Sequence, residues 1–395
     1  MTVTIPSFAK INLGLRIGAL RPDGFHELRT VYQTIALHDV VRVSVERGSG
    51  IEIRCDDPRV PTDSTNTCWR IVERAMAEIK ARGRVVVEIE KRLPVQGGLG
   101  GASGNAVAAL LALERALGKK LSGAERVRVA AEVGSDLPLF LVGGTVLGVG
   151  RGEEVYRQPD LPTIPCVIAM PEIAVSTPKA FQEWDELIAN GADLRSQTTD
   201  TSSIGTTESR ALPGRSDPRH EYSVRKQIPR LGNHSQANDS SWLGMTEFAS
   251  GGELESVPKL TDHSHSDRML MFSREISAWL SAASERAGRR SGVSARGGGR
   301  AENPLLDLVR TGIENDFERV VFPQYPELRE VKSVLEQAGA RYASLSGSGS
   351  ALYGLFESRE KATAAAKKLN RSGVSAVATS TLTRRQYWKR LQTSD

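Results

Sequence analysis

Residues 93–113 read LPVQGGLGGASGNAVAALLAL, with four glycines, Gly97, Gly98, Gly100 and Gly101, crowded around Leu99. Glycine reaches positive φ at no steric cost, so such a loop can bring its amides close to a ligand. Strong helix formers follow over 106–117, and the loop therefore runs into a helix N-terminus whose first N–H groups lack partners within the helix. That arrangement is an anion cradle, suited to phosphate. Ser103 and Asn105 stand at the junction, where a small polar side chain can cap the helix or reach a phosphate oxygen or its metal ion. Neither standard phosphate motif fits. A P-loop needs Lys then Ser or Thr after its last glycine, and a dinucleotide fingerprint needs an acidic residue about 20 positions on, where 118–121 carries lysines instead. A plain turn into a helix is the alternative reading.

Other residues could do chemistry. Lys10 and Asn12 lie two apart in a strand-like stretch and so share a face. A lysine on a buried face must be paired, which leaves Lys10 either solvated at a strand end or held near an anion. The segment RPDGFH at 21–26 is a turn by composition, and it sets Phe25 and His26 on a loop, where binding residues concentrate. Phe25 there serves either a ligand or the core. Asp136 sits among Leu137, Pro138, Leu139 and Phe140, and a carboxylate so placed either caps a helix or does chemistry. A second glycine-serine loop, SGSGSALYGLF at 346–356, lets two backbones, or a backbone and a ligand, come together.

Hydrophobic patterning supplies the elements that must position these groups. Residues 2–20 alternate loosely and favour strand. Residues 31–45 predict one or two strands, and 51–54 and 85–89 one each, the last delivering the chain into the glycine loop. Helical spacing marks 66–81, 124–133, 305–318 and 326–338. Strand patterning marks 167–170, 173–175 and 374–379, with a helix containing Phe181 and Trp184 opening after 175. Residues 192–268 are polar and aperiodic, the signature of a disordered insertion. His263 and His265 lie there without nearby cysteines, so no metal site is expected. An amphipathic helix at 269–283 and a flexible linker at 286–300 with five arginines follow. The chain ends on a basic segment, 384–390, with Tyr387 and Trp388.

A length of 395 residues accommodates two domains, and 39% hydrophobic residues is low for two compact ones. The net charge of +5 suits an anionic ligand or a basic tail equally. Three scattered cysteines make neither a disulfide framework nor a zinc site. Pro6 and Lys10 stand where a signal peptide would be apolar, and no window approaches a membrane span. The expectation is a soluble cytoplasmic protein.

Taken together, PSFAKINLGL, RPDGFHEL, LPVQGGLGGASGNA, GSDLPLFL, GGTVLGVGRGE and LSGSGSALYGLF resemble the motifs of the GHMP small-molecule kinases. Within that superfamily the resemblance is greatest to the 4-diphosphocytidyl-2-C-methyl-D-erythritol kinases. It covers about residues 5–190 and 303–382. It implies an α+β, two-domain fold: an N-terminal domain like ribosomal protein S5 domain 2 over 1–160, and a ferredoxin-like C-terminal domain from 161–191 and 301–395. The insertion, 192–300, falls outside it.

The resemblance implies ATP and Mg2+ as cofactors and a cytidine-diphosphate methylerythritol substrate, with no membrane or nucleic-acid partner and a monomer or homodimer. Pro94, Gln96, Gly97, Gly98, Leu99, Gly100, Gly101, Ser103 and Asn105 would bind ATP. Lys10 and Asp136 match the catalytic pair. Phe25 and Phe181 match the aromatics that sandwich the cytosine, His26 the residue at its edge, and Asn12 a further substrate contact. The chemistry agrees: an alcohol attacking a γ-phosphoryl group needs a base, here Asp136, and a cation, here Lys10. Gln96 stands where glycine is common, Gly104 where a second serine is common, and Phe25 replaces the more frequent tyrosine. A homoserine or mevalonate-type kinase is the alternative enzyme. An RNA-binding protein is the alternative of another class, resting on the charge and the 286–300 linker.

Overall fold

The structure, a computed structural model, describes residues 1–189 and 313–392. The insertion at 192–300, with its histidines, the 269–283 helix and the 286–300 linker, lies outside the described residues.

Two long strands frame the first sheet. β1 (Thr2–Leu20) and β2 (His26–Glu46) pair antiparallel. The turn between them closes when Arg21 N–H donates to Phe25 O at 2.7 Å, with Gly24 at φ +79°. β2 is long because its halves serve different neighbours. Val40 to Glu46 pair with β4 (Arg84–Glu90), and Thr30 to Gln33 with β5 (Thr145–Val149). β3 (Gly50–Cys55) runs parallel to β4, so a crossover must join them, and α1 (Thr67–Ile79) is that crossover. β6 (Glu154–Arg157) completes the order β3-β4-β2-β5-β6, with β1 paired to β2.

The helix after the glycine loop, α2 (Gly101–Leu117), is buried all round from Gly104 to Glu114. A helix apolar on every side must lie inside the protein. It packs on β1, β2 and α1, with α3 (Gly123–Val133) and α4 (Leu137–Val142) closing a core that includes Ile5, Val41, Ile71, Val87, Leu110 and Leu113. The second sheet is antiparallel, in the order β10-β7-β9-β8: β7 (Pro165–Met170), β8 (Tyr342–Leu345), β9 (Leu352–Leu355) and β10 (Ser375–Ser380). Its helices are α7 (Pro326–Gln337) and α8 (Arg359–Arg371). Between β7 and α7 the described chain includes α5 (Thr177–Ala189) and α6 (Glu318–Gln324).

Ala9, Ile11 and Leu13 of β1 belong to a second core, with Cys166, Ile168, Tyr353 and Leu355. β1 is therefore buried on both faces, which is why its sequence alternates only loosely. The basic C-terminal segment forms α9 (Arg384–Gln392) and is an anchor: the Tyr387 hydroxyl donates to Phe140 O at 2.6 Å and Trp388 Nε1 to Val142 O at 3.0 Å.

Three expectations about elements are corrected. The helix after the glycine loop begins at Gly101, not near 106, so Ser103 and Asn105 lie in its first two turns. Residues 173–175 are not a strand; both edges of β7 are already taken by β9 and β10. Of the helix expected at 305–318, residues 313–317 are not helical. Asn315 bridges to Leu15, and its Oδ1 accepts from Phe317 N–H at 3.1 Å, a local bond that competes with helix and delays α6 to Glu318.

Candidate active site

The glycine loop is fastened on two sides. Leu99 O accepts from Lys10 N–H at 3.0 Å, tying the loop to β1. Gly98 O accepts from the Ser346 hydroxyl at 3.0 Å and Gly97 O from Ala351 N–H at 3.1 Å, tying it to the loop between β8 and β9. Gly98 has φ +73°, and a Cβ there would run into Ser346 O. Gly104 needs no Cβ for a different reason: one would lie 2.9 Å from Ser7 Oγ and 3.0 Å from Phe8 O, so α2 packs directly against β1. Gln96 adopts φ +61°, the backbone region a glycine would enter without strain.

All nine residues expected to bind ATP line one cavity of about 350 Å³. The cavity is also lined by Asn66 and Thr67 at the start of α1 and by Lys91 just past β4, which sequence reading missed. Lys91 is held by Asp39, a fully buried carboxylate on β2, at 2.5 Å. The other oxygen of Asp39 accepts from Arg92 N–H at 2.6 Å and Leu93 N–H at 2.7 Å, and Asn105 Nδ2 donates to Asp39 at 3.0 Å. One carboxylate thus roots the glycine loop, aims a cation at the cavity and pins α2. Asn105 does not cap α2, whose N-cap is Gly100.

Lys10 stands at the inner end of this loop. Its side chain passes Gly100, where a Cβ would meet Lys10 Cγ at 3.0 Å, and its Nζ lies 3.4 Å from where a Cβ on Gly347 would be. The ammonium donates to Asn12 Oδ1 at 2.7 Å and pairs with Asp136 Oδ2 at 3.5 Å. Asn12 in turn donates to the Thr30 hydroxyl at 2.7 Å, so both ends of its amide are engaged inside the protein. The β1–β2 register shifts between Phe8 and Lys10 and again between Asn12 and Gly14, and these irregularities bracket the two polar residues.

Burial lowers the Lys10 pKa from the ordinary lysine value, and the charge of Asp136 opposes but does not cancel that effect. Asp136 occupies the N-cap position of α4 yet makes no capping hydrogen bond. Its carboxylate instead accepts from the Tyr32 hydroxyl at 3.0 Å and faces Lys10, with about a third of the side chain exposed (31%). Of the two readings open to it from sequence, capping is thereby excluded.

The expected aromatic slot is arranged differently. His26, not an open gap, covers Phe181: the rings are parallel within 3° at 5.0 Å, and Phe317 meets Phe181 edge-on. His26 Nε2 faces Asp185 at 3.2 Å and Nδ1 faces Gly18 O at 3.2 Å. Phe25 is exposed, with the Arg151 guanidinium over its ring at 4.9 Å. Asn315, missed because 305–318 reads as helix, donates to Leu345 O and Gly347 O and so holds the second glycine loop beside Lys10. Among the described residues no group of three His, Cys, Asp or Glu side chains gathers to hold a metal ion, and no helix is long and apolar enough to cross a membrane.

A phosphate cradle beside a buried lysine paired with a part-exposed carboxylate, on two sheets so connected, is the plan of a small-molecule kinase, and the comparisons agree. Residues 66–144 match the GHMP kinases N terminal domain and 302–375 the GHMP kinases C terminal domain. The fold is the two-domain GHMP kinase fold: a crystal structure of 4-(cytidine 5'-diphospho)-2C-methyl-D-erythritol kinase is 24% identical with a TM-score of 0.59, covering 96% of this chain and 98% of that one. Homoserine kinase from Cytophaga hutchinsonii has the same TM-score at 17% identity, covering 97% and 95%. The 4-diphosphocytidyl-2-C-methyl-D-erythritol kinase of Solibacter usitatus is 31% identical over 353 residues, 89% of this chain and 81% of the relative. That of Acaryochloris marina is 30% identical over 367 residues, 93% and 91% respectively. The chain belongs to the 4-diphosphocytidyl-2-C-methyl-D-erythritol kinase family of the GHMP kinases. It is an ATP-dependent small-molecule kinase.

Proposed function

We propose that the chain transfers the γ-phosphoryl group of ATP to the 2-hydroxyl of 4-diphosphocytidyl-2-C-methyl-D-erythritol, in the non-mevalonate route to isoprenoid precursors. The observation that carries the reading is the Lys10–Asp136 pair at 3.5 Å, whose lysine lies against Gly100 of the glycine loop that lines the cavity, although neither member of the pair lines the cavity itself. The names of the Solibacter usitatus and Acaryochloris marina relatives supply the substrate.

Asp136 accepts the hydroxyl proton, and Lys10 stabilises the alkoxide and the charge spreading over the transferred group. The amides of the glycine loop at the start of α2 take the phosphates, with Lys91 as a second cation. The Ser103 hydroxyl on the cavity wall is a side-chain oxygen that would hold a magnesium ion brought in with the nucleotide, and such an ion would supply neutralisation of the phosphate charge. His26, Phe25 and Phe181 provide the aromatic faces and edge for the cytosine, which requires His26 to leave the face of Phe181 it covers.

The test is ATP consumption with the cytidine-diphosphate methylerythritol substrate, homoserine and mevalonate in parallel. Turnover confined to the first supports the reading, and turnover on either of the others alone overturns it. Lys10→Ala and Asp136→Ala each lower kcat by at least about 100-fold, the scale of a lost general acid–base contribution. Near-normal turnover by either variant removes its assigned role.

A further inference from the structure

The motif GGTVLGVGRGE at 143–153 contains glycines that bind nothing in the reading above. Two of them explain themselves through Tyr32. A Cβ on Gly148 would lie 2.5 Å from Tyr32 Cε2, and one on Gly152, at φ +99°, would lie 2.5 Å from the Tyr32 hydroxyl oxygen. These glycines clear a berth for one buried phenol and its oxygen. On β2, Tyr32 stands opposite Asn12 of β1 and Val146 of β5. Its hydroxyl donates to Asp136 Oδ1 at 3.0 Å, while Lys10 faces the other oxygen, Oδ2.

We infer that Tyr32 is a positioning residue for Asp136: its phenol holds one carboxylate oxygen so that the other stays aimed beside Lys10 at the acceptor hydroxyl. Phenylalanine would fill the same berth, so packing alone does not require the oxygen. Burial and the charge of Asp136 push the Tyr32 pKa well above the ordinary phenol value, which keeps the hydroxyl protonated and a donor throughout the working pH range. The groups facing the carboxylate are Lys10 from β1 and Tyr32 from β2, and Glu153, ahead of β6, acts on the phenol through its charge.

The inference rests on Asp136 being the base, and the experiment separates the two. Full pH profiles of kcat and KM for ATP are measured on the full chain, on Tyr32→Phe, on Asp136→Asn and on Tyr156→Phe, whose exposed tyrosine on β6 is a control. Tyr32→Phe is expected to lower kcat by about tenfold through lost alignment, with KM for ATP changed by less than about twofold. Its acid limb moves to higher pH, because a carboxylate deprived of a donor holds a proton more tightly. Tyr156→Phe keeps the parent profile. Asp136→Asn with undiminished turnover sinks the base assignment. Asp136→Asn inactive while Tyr32→Phe keeps the parent kcat and acid limb sinks the role of Tyr32 alone. A loss of kcat in Tyr32→Phe with the acid limb unmoved does the same, since that outcome marks a packing defect.

Discussion

Replacing Asp39 tests whether one buried carboxylate supports the nucleotide cradle. Its oxygens receive four donors: Lys91 Nζ, Asn105 Nδ2 and the N–H groups of Arg92 and Leu93. Asp39→Ala leaves the Lys91 ammonium, only 9% exposed, without its counter-charge. Removing one partner of a buried pair costs about 3–5 kcal/mol. Asp39→Asn is somewhat milder: its carbonyl still accepts from the two backbone N–H groups, but an amide N–H2 cannot accept from Lys91 or Asn105, so a charged hydrogen bond of about 2 kcal/mol and a neutral one of about 1 kcal/mol are lost. At about 2–4 °C per kcal/mol, the thermal midpoint falls by roughly 12 °C for alanine and roughly 9 °C for asparagine.

Function should follow the same order. Arg92 and Leu93 are the residues from which the glycine loop springs, and Lys91 lines the cavity, so KM for ATP rises about tenfold in Asp39→Ala, the equivalent of one lost charged contact. Thermal denaturation by far-UV circular dichroism, with steady-state ATP kinetics on whatever remains folded, reads both effects. An alanine variant that melts within about 2 °C of the parent and keeps its KM for ATP refutes the reasoning, because a shift that small is under 1 kcal/mol.

Two further outcomes are expected. Gly98→Ala should lower both the thermal midpoint and ATP turnover, since its Cβ meets Ser346 O at φ +73°, whereas Gly101→Ala, whose Cβ would stand at ordinary contact distances from Lys91 Nζ (3.4 Å) and Leu93 Cδ1 (3.6 Å), should melt near the parent; equal midpoints for the two would contradict the packing described. Lys10 titrates below the ordinary 10.5. Its ammonium is the working form, so kcat falls as pH rises through that lowered value, and Lys10→Arg, which does not titrate there, lacks this alkaline limb. The stability sign is opposite: between the lowered value and 10.5 the unfolded chain binds more protons, so the burial penalty of Lys10 is present at lower pH and relieved as pH rises. An unchanged alkaline limb in Lys10→Arg would assign it to another group.

What could be read from sequence divides by the kind of signal each residue carries. The glycine loop announces itself because positive φ and backbone approach demand glycine, and Gly98 and Gly100 do adopt φ near +70°. Lys10 and Asp136 stand out as charges in apolar surroundings, but their meeting depends on how β1 and the α3–α4 junction fold together. Asp39 and Tyr32 give no such sign. Asp39 follows His38 in a strand whose other charges, such as Arg42 and Glu46, are at the surface, and a tyrosine in a strand is ordinary. Only the four donors around one, and the two glycines around the other, separate them from their neighbours. Asn315 misled for a related reason: its run looks helical by spacing, and its side chain chooses local hydrogen bonds and the second glycine loop instead.

The same logic explains why β1 resists a simple pattern. A strand buried on both faces has no polar side on which to put a lysine, yet the site needs a cation where the two glycine loops meet. Lys10 and Asn12 keep regular register with Thr34 and Tyr32 and share the face opposite Ala9, Ile11 and Leu13, where the ammonium meets Asn12 and Asp136. Asn12 satisfies the ammonium on one side and Asp136 on the other, so the charge is tolerated in a place where burial alone would neutralise it. The alternation of apolar and polar residues holds across 9–13; what the sequence hides is that the polar face is closed over by Asp136 and the second glycine loop, contacts that only the fold brings about.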